Sequence, residues 1–313
     1  MKEYNMKKAF SMVELVFVIV VLGIVASISA DTIAQVYKNT IPQKATNIAA
    51  IKAELATQQI ANRLRYAVPW SMVARNTNNT NPVKLGDVST NDMNDKVIEW
   101  ISVDGDSFEA TAPPGWSGYC DDVANSSTTN CSTPGSNLAN TNAVIGNLGG
   151  AGIRDAIVIF DKYNDLQGCN PTDEQYAPST VGLIGTDTQC AFPLLGTGGG
   201  ANLTFANVPK RRAETYSIAW SAYAIEPVNE RDKNGDGAND VFDLQLRYNY
   251  QPWQGDTYAN APSQIIATIV SGFKVSQNSI AQDDIRFKIC IKQPIGGGVD
   301  DFISMCKEKA VMR

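Results

Sequence analysis

The first thirty residues restrict this chain more than any later stretch. Lys2, Lys7 and Lys8 precede a predominantly apolar run from Phe10 to Ala30 that contains one charge, Glu14. As a helix rising about 1.5 Å per residue, that run extends roughly 32 Å, enough to cross the hydrocarbon core of a bilayer. The lysines on its N-terminal side stay cytoplasmic under the positive-inside rule, so everything after Asp31 is expected across the membrane. A secretory signal is the competing reading, because Ala26-Ser27-Ile28-Ser29-Ala30 has the composition of a cleavage site. Its apolar core would normally be shorter. Glu14 also speaks against it, since a carboxylate inside an apolar run is expensive in lipid and calls for a partner.

The remainder has the length and apolar content of one large or two modest globular domains: 313 residues in all, 43% of them hydrophobic. A formal net charge of -6 and scattered basic residues argue against nucleic acid as a partner. The chain contains no histidine, which excludes Ser-His-Asp and Cys-His catalysis and removes the commonest zinc ligand. The six cysteines, Cys120, Cys131, Cys169, Cys190, Cys290 and Cys306, include no CxxC pair. In an exported domain an even number reads as disulfides. Many connectivities are open; the sequential one (120 with 131, 169 with 190, 290 with 306) is expected because each pair brackets a loop.

After Asp31 the helical pattern continues to about residue 68, with Ile48, Ile51, Leu55, Ile60, Leu64 and Val68 as its apolar face. Pro42 is expected to kink or interrupt it and Pro69 to end it. Strands are expected at 96–103, 155–160, 215–225, 241–250, 265–275 and 285–291. Three of them alternate, for instance Phe242, Leu244, Leu246, Tyr248 and Tyr250 on one face, as antiparallel strands with one solvated face do. Residues 117–150 and 192–204, rich in Ser, Thr, Asn and Gly, are expected as surface loops. Lys210-Arg211-Arg212 reads as a solvated loop, with an anion site as the alternative.

Lys7-Lys8-Ala9 followed by Phe10-Ser11-Met12-Val13-Glu14-Leu15 resembles the leader junction of type IV prepilins, in which the first mature residue is Phe and the fifth is Glu. The family usually has Gly where Ala9 stands; both are small. The resemblance implies that a membrane-embedded prepilin peptidase cuts between Ala9 and Phe10 and N-methylates Phe10, and that the apolar helix is retained as the assembly element. It also implies that Glu14 pairs with the new amino group of Phe10 on a neighbouring subunit. That pairing would relieve two desolvation penalties in one apolar layer. A Glu snorkelling to the membrane surface is the alternative. Residues 265–275 and the Ile289-Cys290-Ile291 strand are similar to late strands of the larger minor pilins and J-type pseudopilins.

One stretch has metal-ligand spacing. Asp232, Asn234, Asp236, Ala238 through its carbonyl, Asp240 and Asp243 fall at positions one, three, five, seven, nine and twelve of a loop with Gly237 at six, the calcium-loop pattern. Its last position is Asp where an EF-hand has Glu, and a strand pattern follows, so a strand-flanked Ca2+ loop is expected. The alternative is an Asx-Gly hairpin turn holding no ion.

These readings give an α+β chain: leader at 1–9, membrane-spanning assembly helix at 10–30, its exposed continuation at 31–68, and a mainly antiparallel β-sheet head with long loops at 69–313. The expected function is structural, as a subunit of a type IV pilus or type II secretion pseudopilus. The expected partners are other pilins or pseudopilins, the prepilin peptidase and the inner membrane, with the head extracytoplasmic. Removing the nine leader residues from 313 leaves 304, larger than the family's usual main subunit, which favours a minor or tip-associated role. The rival is an extracytoplasmic binding protein or hydrolase that uses the helix only as a tether.

Overall fold

The computed structural model describes residues 11–76, 82–88, 96–109, 112–121, 128–160, 191–198, 200–209, 212–277, 284–296 and 301–312. Helix α1 runs Met12–Leu64, 53 residues or roughly 80 Å. Ser11 caps it, its Oγ accepting from the Val13 N–H at 3.3 Å. Contrary to one expectation, Pro42 does not interrupt it. The helix is still outside the head at that point, where water can take the carbonyl that proline leaves without a donor, and the Thr46 hydroxyl donates to the Pro42 carbonyl at 2.9 Å. The helix ends at Leu64 rather than 68, and Pro69 opens a short 3-10 turn.

Every residue from Ser11 to Ile41 is exposed, and burial begins at Ala45. From there the face against the head is Ala45, Ala49, Ala53, Ala56, Ile60 and Leu64. The expected face is therefore corrected: Ile51 and Leu55 are 60% and 59% exposed. Alanines at i, i+4 spacing let the sheet come close to the helix backbone, which a row of Ile and Leu would hold off.

The head is an antiparallel sheet. Its strands are β1 (Val73–Asn76), β2 (Val83–Lys84), β3 (Lys96–Val103), β4 (Asn130–Ser132), β5 (Ile157–Phe160), β6 (Phe192–Gly198), β7 (Asn202–Phe205), β8 (Tyr216–Arg231), β9 (Val241–Tyr250), β10 (Ser263–Gln277), β11 (Asp284–Pro294) and β12 (Phe302–Met312). Strand order is β12-β11-β10-β9-β8-β5-β6-β7-β4, and β3 also joins β8 and carries β1, which carries β2. The long strand β8 pairs with β9 on one edge; its other edge serves β5 along 216–219 and β3 along 219–225.

Helix α1 covers one face of the β10–β12 end, where Ile60 and Leu64 join a core containing Phe273, Val275, Phe287, Ile289 and Ile291. Polar contacts fasten its flank: Lys307 to Glu54 at 3.3 Å, Lys309 to Gln58 at 2.6 Å and Lys52 to Gln293 at 3.1 Å. On the opposite face Val73, Val97, Ile101, Ala222, Ala224 and Tyr250 form a second core. Tyr250 belongs here and not with Leu244, as its spacing suggested, because Asn249 has φ 54 and the β8–β9 register shifts there.

A third core lies under the insertion between β3 and β8, with Trp116, Leu138, Ile145, Phe192 and Phe205. After the short helix α2 (Gly105–Glu109), stretches expected as loops contain α3 (Leu138–Asn147), β4, β6 and β7. Asn137 caps α3, accepting from the Asn140 N–H. Asn142 and Asn147 face outward while Leu138, Thr141 and Ile145 are buried. Composition hid an amphipathic helix.

Candidate functional site

Glu14 lies in the first turn of α1, exposed like its apolar neighbours Val13, Leu15 and Phe17. Ala9 and Phe10 lie outside the described residues. Within the described chain Glu14 has no hydrogen-bond or ion-pair partner. A lone carboxylate on an apolar, fully exposed helix is stable in lipid only with a cation from another molecule or from the membrane surface. α1 is the one helix among the described residues long and apolar enough to span a membrane.

Two disulfides are present among the described residues. Cys120–Cys131 is buried within the insertion, with Cα atoms 5.9 Å apart, and ties the segment before β4 to that strand. Cys290–Cys306 joins directly opposed positions of β11 and β12, with Cα atoms 4.0 Å apart. Cys169 and Cys190 lie outside the described residues.

The 232–240 loop connects β8 to β9, and Gly235 and Gly237, with φ of 78° and 87°, supply its turns. Asp232 accepts from the N–H groups of Gly235 at 2.6 Å and Gly237 at 2.8 Å; Asp236 accepts from the Ala238 N–H at 2.8 Å and the Asn234 amide at 2.9 Å. Asp240 is paired with Lys292 and accepts from the Lys233 N–H at 2.7 Å. Burial raises its pKa, but these donors outweigh it and leave the carboxyl below its ordinary value.

Asp243 is not with the others. It is buried on β9 and accepts from Arg231 at 2.5 and 3.2 Å, from Asn229 at 3.1 Å and from the Ile269 N–H at 3.1 Å. Burial pushes its carboxyl up, and these bonds more than reverse it. Asn229 and Ile269 both have positive φ, 53° and 57°, so one carboxylate holds the irregular turns of β8 and β10 in place. Of the six residues expected to gather around an ion, Asp243 here faces Arg231 and Asp240 faces Lys292. Among the described residues no three acidic or sulfur side chains gather as a metal cluster.

Two ion pairs escaped the sequence reading. Arg75 meets Glu99 at 2.9 Å and Arg247 meets Glu226 at 2.6 Å, both carboxylates buried. Burial pushes the Glu99 carboxyl up to about 7, with Arg75 pulling it down and Glu226 adding to the rise. The signal was a glutamate in the middle of an apolar strand, Val97-Ile98-Glu99-Trp100-Ile101. Arg212, expected in solvent, is buried over the Phe205 ring and donates to the carbonyls of Thr128 and Asn130.

No curated protein and no solved structure matches the chain. Residues 4–30 match the family model described as the prokaryotic N-terminal methylation motif. The match spans Lys7 and Lys8, the Ala9-Phe10 junction, Glu14 and the apolar run, and it stops at Ala30, where that run ends. This N-terminal segment carries the prepilin-type methylation motif and supports reading the chain as a type IV pilin-like protein.

Proposed function

We propose that the chain is a minor or tip-associated subunit of a type IV pilus or type II secretion pseudopilus, cut between Ala9 and Phe10 and assembled through residues 10–44. The observation that carries this reading is the exposure of the whole apolar half of α1, with Glu14 as its single charge before Asp31. A tether needs the span but not the carboxylate. Neighbouring subunits supply both an apolar surface and, at the methylated amino group of Phe10, the cation that Glu14 lacks. The family is generally structural, and the missing histidine agrees with a non-catalytic head. The head, translocated by the positive-inside rule, sets what the filament end touches.

N-terminal sequencing of mature protein should read from Phe10. Glu14→Ala should leave the chain in the inner membrane and deplete it from filaments. Normal incorporation of that variant would overturn the pairing role, and a mature terminus after Ala30 would restore the secretory-signal reading.

The 232–240 loop supports a second, smaller proposal. Asp232, Asn234 and Asp236 lie on one glycine-shaped turn beside the Ala238 carbonyl, the first half of a Ca2+ loop. Such a half-site, without Asp243 and with Asp240 committed to Lys292, holds the ion weakly.

A further inference from the structure

Where the last turns of α1 meet the sheet, a cavity of about 320 Å³ opens between Arg63, Tyr66, Asp104, Asp106, Trp220 and Tyr223. Its walls are built by the fold. Gly105 makes room for the Tyr66 ring, since a Cβ there would sit 2.6 Å from a ring carbon. Tyr223 is stacked against Trp100 on one side and lies under the Arg63 guanidinium, 5.3 Å from the ring centre, on the other. Arg63 also reaches the Tyr223 hydroxyl at 3.5 Å. The cation of this cavity is thus committed to an aromatic ring.

Its anions are not committed. Asp104 is 3% exposed; its Oδ1 caps the following helical turn, accepting from the Ser107 N–H at 3.0 Å, while its Oδ2 has no hydrogen-bond partner. Asp106, two residues on, is exposed at the rim. Among the described residues neither carboxylate has an ion-pair partner. A buried carboxylate with one oxygen unpaired is costly, and an anionic cavity lined with tyrosine and tryptophan suits an organic cation better than a bare metal. Two carboxylates are also too few for a protein-built metal site.

We propose that this cavity receives the basic side chain of a partner protein: an alkyl chain ended by a guanidinium or ammonium group. The head of the cation meets Asp106, the field of Asp104 beneath the wall holds it, and the alkyl stem lies along Tyr66. Burial, the larger influence on Asp104, keeps its pKa above the ordinary value, and an incoming cation would lower it.

Calorimetric titration of the full chain in detergent micelles tests this with N-acetyl-arginine amide and its uncharged isostere, N-acetyl-citrulline amide. The arginine compound should bind saturably, and citrulline at least about tenfold more weakly. Asp104→Asn keeps the cap and loses the charge; Asp106→Asn is on the surface and leaves the fold untouched. Each should weaken arginine binding by about tenfold or more, with an unchanged circular dichroism spectrum. Equal binding of the two compounds, no saturation up to about 10 mM, or full affinity in Asp106→Asn would overturn the proposal.

Discussion

The two halves of α1 have one backbone geometry and opposite relations to their surroundings. Along residues 12–41 none of the described chain buries the helix, and valine and isoleucine crowd it: Val18, Ile19, Val20 and Val21 are consecutive and exposed. Such β-branched residues are mediocre helix formers in water. In lipid the objection disappears, because an uncovered backbone can satisfy its polar groups only within its own helix. Along residues 45–64 alanine, the best helix former, occupies the covered face and charged residues flank it. The first half owes its shape to a solvent, the second to a sheet. The comparison teaches that bulk alone does not mark the docked face, since Ile51 and Leu55 point outward while Ile60 and Leu64 are buried.

Truncations break this contrast most severely. Ile60→Ala should lower the stability of the head by about 2–5 kcal/mol, the range for deleting buried methylenes, because Ile60 is 2% exposed. Ile24→Ala, in the projecting half, should leave it unchanged. Denaturant unfolding of full-length protein in micelles, followed by near-ultraviolet dichroism, reads both. Equal losses would mean that the halves unfold as one. Overpacking comes next: Ala53→Leu, which forces the sheet off the helix, should cost about 1–3 kcal/mol, while Ala26→Leu should cost nothing in the head.

Protons separate head from helix more gently. Burial holds the Glu99 carboxyl at about 7 in the folded head, against an ordinary 4.5. Between those values the folded head carries a proton that the unfolded chain has lost, so its stability should rise as pH falls from 7 toward 4.5. Above pH 7 this contribution is absent. Glu99→Gln should flatten the melting profile across that window and leave membrane insertion as it was. A profile that still slopes identically would assign the effect to other groups. Calcium should have the smallest influence. With Asp240 and Asp243 already paired, millimolar Ca2+ should raise the melting temperature by less than a full loop would, below the roughly 2.7 kcal/mol expected at hundredfold excess over Kd. Asp236→Ala should remove the shift. No shift in metal-stripped protein would leave the hairpin-turn reading.

Several elements were legible before any coordinates. Strands β3 and β9 begin and end where they were expected, at Lys96–Val103 and Val241–Tyr250, the latter from its alternation. The C-terminal strand β12 and the insertion were not. β12 alternates between half-buried and exposed residues, and its Lys307 and Lys309 read as solvent until α1 lies beside them with Glu54 and Gln58. Calcium spacing was legible too, but spacing is a property of one loop. Whether Asp243 faces an ion or Arg231 depends on the register of β8 against β9 and on the bend at Ile269, a contact far along the chain.

What the sequence determined by itself is therefore local. Hydrophobic length, one charge and a junction motif suffice to define a helix long and apolar enough to span a membrane and the methylation motif at its start, because lipid tests each residue singly. Which side of the docked helix is buried, which aspartates are free, and where Asp104 and Asp106 meet Tyr66 were decided by the tertiary structure alone. Burial and ion pairing there depend on what a distant strand brings against the residue, and no short-range pattern carries that information.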